Sequence, residues 1–199
     1  MKIHIICVAY ERPIPLQILI GSFIVQTNPN WVLHIVYDGP APQEILDIVA
    51  LFTKDKRVRF YESPERYQNY GHPNRKTMLQ TIVTEPGDFI LMTNDDNYYV
   101  PVFVEYMIAV RRQRSGQRAG IIYCNTVHSH AGYDVHNSEL HENCIDMGAF
   151  MVREDIAKIT GFNHIHFSAD GTYAEECMRT CLKNRLKAVK INKPLFIHN

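Results

Sequence analysis

Thr93-Asn94-Asp95-Asp96-Asn97 follows an apolar run ending at Met92 and sets two adjacent carboxylates between amides. Hard divalent cations take several oxygen ligands, and such a cluster at the carboxyl end of a strand supplies them. In open α/β sheets that edge is also where ligands bind. The same residue types favour a solvated turn, so the segment alone leaves both readings open. The glycine and distal glutamate of an EF-hand loop are absent at the required spacings. Asp38 closes a second apolar run, in Ile35-Val36-Tyr37-Asp38-Gly39. A carboxylate there can accept hydrogen bonds from a nucleotide's base or ribose, or simply form an Asp-Gly turn. Further on, Asp170-Gly171-Thr172-Tyr173-Ala174-Glu175-Glu176 leads into a helix that carries Arg179. A carboxylate there can take a proton from an attacking hydroxyl, or only favour the helix N-terminus through its dipole.

Histidines form the other chemical signal. His128, His130, His136 and His141 lie in a polar stretch over 125–144, and His164 and His166 precede the acidic segment. A zinc hydrolase would want such a cluster, although the spacings match no H-E-x-x-H arrangement. Tyr98, Tyr99 and the segment Arg66-Tyr67-Gln68-Asn69-Tyr70 could line a groove for sugar rings, and each tyrosine could equally be packing.

The elements that must position these residues alternate. Strands are expected over 2–8, 31–37, 57–61, 88–93, 120–124 and 147–152, and helices over 15–25, 42–52, 75–83, 102–112, 155–159 and 172–184. Two extended segments, 187–191 and 195–198, finish the chain. The pattern predicts an α/β domain, with 125–144 as a long loop of the kind that carries function. No G-x-G-x-x-G follows the first strand, which argues against a dinucleotide-binding Rossmann unit. No glycine-rich phosphate loop stands there either, which argues against a kinase or nucleotidyltransferase.

At 199 residues, the chain is expected to be one domain with its own core. Lys plus Arg and Asp plus Glu both number 21, a net charge of zero, so the basic excess of a nucleic-acid or anionic-membrane binder is missing. Five cysteines without a C-x-x-C pair suggest neither a disulfide framework nor a zinc ribbon, and a reducing, cytoplasmic setting is expected. No targeting or membrane-spanning segment is expected.

In order and spacing, these features resemble the GT-A glycosyltransferases of the family 2 type. The resemblance is carried along the whole chain by VAYERP, YDG, Asn74-Arg75, NDDN with Pro101, MGAFMVRE, Thr160-Gly161-Phe162-Asn163, the acidic AEE and the terminal IHN. It implies a single GT-A domain over 1–199: a mixed, mostly parallel sheet flanked by helices, with a nucleotide-binding half over about 1–100 and an acceptor-binding half over about 101–199. A further similarity is to the N-terminal glycosyltransferase domain of a large chlorovirus protein, which would make the chain one part of a longer protein in a host cytoplasm.

The implied activity is metal-dependent, inverting transfer of a sugar from a nucleotide-diphosphate donor, foremost a UDP-sugar, to a hydroxyl on a glycan. Mn²⁺ is the implied cofactor, with Mg²⁺ as the substitute. Ala9, Tyr10, Arg12, Arg75 and Asn94 would lie along the donor, and Asp38 would contact the nucleoside. Asp95, Asp96 and Asn97 would form the D-x-D motif that holds the metal, with neutral Asn97 where the family has aspartate. His198 would complete the metal site, and Gly148 would let the backbone pass close to the substrates. Glu175 and Glu176 match the acidic x-E-D motif, with Glu176 as base and Glu175 and Asp170 as the other candidates. Two other readings stay open: a metal-dependent hydrolase built on the loop histidines, and a non-catalytic sugar-nucleotide-binding module.

Overall fold

Ile3–Ala9 (β1) and Trp31–Tyr37 (β2) are buried at every position, as strands covered by helices on both faces must be. Pro13–Ile24 (α1) connects them. Proline in its first turn suits a position whose N–H would have no intrahelical partner, and the helix buries Leu16, Leu19, Ile20 and Phe23 against the sheet. Each such side chain contributes about 1.5–3 kcal/mol on burial. Gln43–Phe52 (α2), Val58–Glu62 (β3), His72–Thr81 (α3) and Phe89–Asn94 (β4) continue the alternation. The computed structural model describes residues 1–113 and 116–199.

The second half contains Tyr98–Tyr99 (β5), Phe103–Arg112 (α4), Ala119–His128 (β6), Asp134–His136 (β7), Phe150–Arg153 (β8), Glu154–Thr160 (α5), Ala169–Lys183 (α6) and Lys187–His198 (β9). The nine strands among the described residues join one sheet in the order β3-β2-β1-β4-β8-β6-β9-β5, with β7 on β6 off this path. β3, β2, β1 and β4 are mutually parallel, β8 is antiparallel to both β4 and β6, and β6 pairs parallel with β9. The sheet is mixed and mostly parallel, as expected. Consequently β1, β2, β4, β6 and β9 all end at the same edge.

Several local details differ from expectation. The stretch 125–144 is not a bare loop: β6 runs on to His128 and β7 folds back on it, pairing Thr126 with His136 and His128 with Asp134. The hairpin reverses the usual pattern, with Val135 58% exposed and Thr126 buried, so no inward apolar period marks it. β5 is only two residues long, too short to leave a pattern. α6 begins three residues before Thr172, which places Asp170 in its first turn. The two terminal segments are one strand, whose register shifts where Asn125 faces Pro194, a residue without an N–H to donate. Among the described residues, no helix is long and apolar enough to cross a membrane. The five cysteines are free, and all but Cys144 are buried.

Candidate active site

The parallel register sets Ala9 beside Tyr37 and Val8 beside Asn94. The next residues, Tyr10, Asp38 and Asp95, therefore emerge side by side at the carboxyl edge, where strands stop hydrogen-bonding and a crevice opens. Tyr10 N–H donates to Asp95 Oδ2 at 2.9 Å, tying the end of β1 to the end of β4. Arg12 donates to Asp95 Oδ1 at 3.4 Å and also to Asp96 Oδ2. Burial is the main force on Asp95 and pushes its carboxyl up to about 6, with the Tyr10 N–H and Arg12 opposing. Arg12 thus sits as a cation across both carboxylates. Asp96 Oδ1 is buried and has no partner among the described residues.

Asp38 is buried, and its carboxylate holds a loop. Tyr67 N–H, Gln68 N–H and Asn74 Nδ2 donate to it at 2.9, 3.1 and 2.8 Å. Hydrogen bonds to a charged group are worth about 1.5–3 kcal/mol each, enough to hold a strained backbone. The strain is there: Gln68, Asn69 and Tyr70 have φ of 57, 50 and 57°, and Gly71 follows at 72°. Side chains disfavour that region, and such residues gather at functional sites. At Gly71 a Cβ would also lie 2.4 Å from Val8 Cγ1. Arg66 from the same loop stacks over Tyr10 at 3.8 Å.

Arg75 is fully buried on α3. It donates to Tyr70 O at 2.6 Å, to Asn94 Oδ1, and lies 3.1 Å from His72 Nδ1. Burial lowers it to about 10, so it remains charged at neutral pH. Burial together with the charge of Arg75 lowers His72 to about 4.

Two cavities meet here. The larger, about 710 Å³, is bounded by Ala9, Tyr10, Arg12, Asp38, Arg66 and Gln68 on one side and by Asn94, Asp95 and Asp96 on the other. The smaller, about 340 Å³, is bounded by His128, His136, Asp146, Met147, Ser168 and Asp170. Tyr70, Arg75, Asn94, Phe167 and His198 line both. Phe167 is 80% exposed and meets Tyr70 edge-on at 5.8 Å, an aromatic lip at the junction.

In the smaller cavity, Asp146 is the pivot. Its Oδ1 lies 2.9 Å from His198 Nδ1 and its Oδ2 lies 2.9 Å from His128 Nε2. Burial alone would raise the carboxyl, but hydrogen bonds and charge from His198 and His128 outweigh it and hold Asp146 well below the usual range. The Asp146 hydrogen bond raises His198 in turn. Asp170, in the first turn of α6, is raised by burial, with the negative charge of Asp146 adding and Arg75 opposing.

Of the residues expected from sequence, Ala9, Tyr10, Arg12, Asp38, Arg75, Asn94, Asp95, Asp96 and His198 all line the larger cavity, and Asp170 lines the smaller. Asn97, Gly148, Glu175 and Glu176 line neither. Asn97 is 2% exposed and donates to Thr93 Oγ1 at 3.1 Å, turned into the sheet. Glu176 is held by His164 Nε2 at 2.9 Å, and Glu175 accepts from Glu142 N–H at 3.0 Å. Gly148 acts through packing, since a Cβ there would lie 2.6 Å from both the Phe196 ring and Tyr99 Oη. Tyr99 is core, donating to Thr93 Oγ1 at 2.8 Å, while the loop around Arg66 and Tyr70 lines the larger cavity.

Sequence reading passed over Asp146. Its partners lie 18 and 52 residues away, a separation no local motif records. The one available hint was an aspartate directly before the MGAF segment, after a histidine-rich stretch.

Solved structures share the fold. S. aureus TarS 1–349, also solved with UDP and with UDP-GlcNAc, superposes on the whole chain with a TM-score of 0.78 at 16% identity. The mannosyltransferase PcManGT from Pyrobaculum calidifontis, solved with GDP-Man and Mn²⁺, covers 99% of the chain with a TM-score of 0.72 at 9% identity. The fold is the one that TarS and PcManGT share. No protein-family profile matches the sequence. Protein CgeD of Bacillus subtilis strain 168 is 25% identical over 161 residues, 76% of this chain. The chain spans 36% of CgeD and about 60% of TarS 1–349.

Proposed function

We propose that the protein is a glycosyltransferase that moves a hexosyl group from a nucleotide-diphosphate donor, foremost a UDP-sugar, to an acceptor hydroxyl on a glycan, with inversion. The observation that carries this reading is the junction of two cavities at the carboxyl edge, with cationic Arg12 and Arg75 on the larger and a raised carboxylate, Asp170, on the smaller. The structural likeness to proteins solved with UDP-GlcNAc and GDP-Man supports it.

The donor lies in the larger cavity. Tyr10, Arg66 and Asp38 form the end suited to a nucleoside, offering an aromatic face, a planar cation and a buried acceptor. Arg12 and Arg75 face the diphosphate, where fixed positive charge stabilises the leaving group as it departs. A cation of the Mn²⁺ type, when bound, neutralises the diphosphate as a Lewis acid. The imidazole and carboxylate groups around His198 fit such an ion, and Asn97 does not.

The acceptor occupies the smaller cavity with its hydroxyl at Asp170. Asp170 takes the hydroxyl proton as the oxygen attacks the anomeric carbon. The bond from that carbon to the diphosphate breaks, and its electron pair leaves with the phosphate oxygen. A base whose pKa is raised towards neutrality is better matched to this transfer than an ordinary aspartate. Two of the loop histidines that suggested a hydrolase, His128 and His136, belong to this same site, since they line the smaller cavity.

The test is a panel of UDP- and GDP-sugars incubated with the protein and Mn²⁺, scored by nucleotide release. Release from at least one UDP-sugar, above the rate in buffer, is expected. No release from any donor, with or without simple glycan acceptors, refutes the reading.

A further inference from the structure

We propose that His128, Asp146 and His198 form a divalent-cation site, and that it takes transition ions such as Mn²⁺ and Co²⁺ in preference to Mg²⁺. The proposal rests on the transferase reading only for what the ion does; binding itself requires no donor.

The site is built by the sheet. His128 and His198 are paired across β6 and β9, each at the carboxyl end of its strand. Asp146, just before the turn into β8, rises between them. One ligand atom from each residue lies within 4.8 Å of the others. The two nitrogens that face the carboxylate, His128 Nε2 and His198 Nδ1, are the ones that would ligate. Among the described hydrogen bonds, no backbone N–H donates to either Asp146 oxygen, so both are free to turn from imidazole to metal. His130 and His136 stack on the His128 ring at 5.0 and 5.2 Å and fix its plane. All three ligands line the smaller cavity, which leaves an open side, the arrangement of a site that also meets substrate.

The Asp95-Asp96-Asn97 segment is arranged differently. Arg12 bridges Asp95 and Asp96, the Tyr10 N–H takes the second Asp95 oxygen, and Asn97 lies outside both cavities. A cation would have to displace Arg12 to bind there. Ligand chemistry separates the two places. Two imidazoles and one carboxylate suit transition ions, whereas an oxygen-only set suits Mg²⁺ equally well.

The experiment is calorimetric titration of the donor-free protein with Mn²⁺, Co²⁺ and Mg²⁺, with the visible absorption of Co²⁺ as a report on imidazole ligation. One equivalent of Mn²⁺ or Co²⁺ is expected, with Mg²⁺ at least about 10-fold weaker. His128→Ala and Asp146→Asn should each weaken Mn²⁺ by more than about 100-fold, beyond the 10–100-fold seen for outer partners of a ligand. Asp96→Asn should leave the affinity unchanged. Circular dichroism of the metal-free variants controls for folding, and the partly exposed His128→Ala carries the test if Asp146→Asn does not fold. Retention of the ion by His128→Ala with its loss in Asp96→Asn overturns the proposal, as does a wild-type protein that binds no ion. If the ion binds as described but no donor is consumed, the transferase reading fails and this site stands.

Discussion

Two histidine–aspartate clusters occupy opposite edges of the sheet and use the same residue types to different ends. At the amino edge, His4 Nε2 lies 3.1 Å from Asp88 Oδ2, and His4 Nδ1 lies 3.3 Å from His34 Nε2. Asp88 also accepts from the backbone N–H groups of Lys2 and Glu85, so backbone has already claimed both of its oxygens. Burial lowers His4, and it lowers His34 to about 3, so these rings are neutral packing elements that line neither of the two cavities. At the carboxyl edge, Asp146 meets two imidazoles and no backbone donor, raises His198, and opens on a cavity. Composition does not separate the clusters. The number of backbone donors spent on the carboxylate, and the presence of space beside it, do.

Substitutions can break this comparison. The largest effect is expected beside the carboxyl-edge cluster. Asp170→Asn should cut sugar transfer by about 100-fold or more, the scale of a lost general base, while UDP binding by calorimetry is kept. Glu176→Gln, which alters a side chain held by His164, should turn over near the wild-type rate. A reversed outcome would move the base to Glu176.

Next comes a matched pair of aspartates. Asp88→Asn should lower stability by about 1–3 kcal/mol in urea unfolding, because it leaves buried donors poorly matched, and should not alter Mn²⁺ affinity. If Asp88→Asn weakened Mn²⁺ as Asp146→Asn should, the division between a structural and a functional cluster would be lost.

Gly148→Ala tests whether that glycine serves packing or substrate. Its new Cβ would press on the Phe196 ring and Tyr99 Oη, at a cost of about 1–3 kcal/mol. Thermal unfolding should shift down, with donor KM unchanged in the folded fraction.

The last effect is the pH response of the amino-edge pair. His34 has a folded pKa of about 3 against about 6.5 unfolded, so only the unfolded chain gains a proton between those values. Stability from this residue is complete above about pH 6.5 and is lost as pH falls towards 3. Tm should therefore decline over that window, and His34→Asn should flatten the slope. An identical slope in the variant would place the titration elsewhere.

The first half of the molecule was largely legible in its sequence. Ile3–Ala9, Trp31–Tyr37 and Phe89–Asn94 are apolar runs ended by Tyr10, Asp38 and Asp95, so strand ends and site residues coincide. The second half was harder because its site is assembled by tertiary pairing. Asp146 has no motif, and the hairpin of β6 and β7 buries Thr126 while exposing Val135. Asp170 was in view, but the expected helix start at Thr172 left it outside the helix. Once α6 begins at Ala169, Asp170 turns into the cavity and Glu176 turns away.

The most direct test of the account is titration of the protein with UDP, with and without saturating Mn²⁺. The account predicts that Mn²⁺ strengthens UDP binding, and that His198→Ala, at the junction of the two cavities, removes the enhancement. UDP affinity that is the same with and without Mn²⁺ would contradict it.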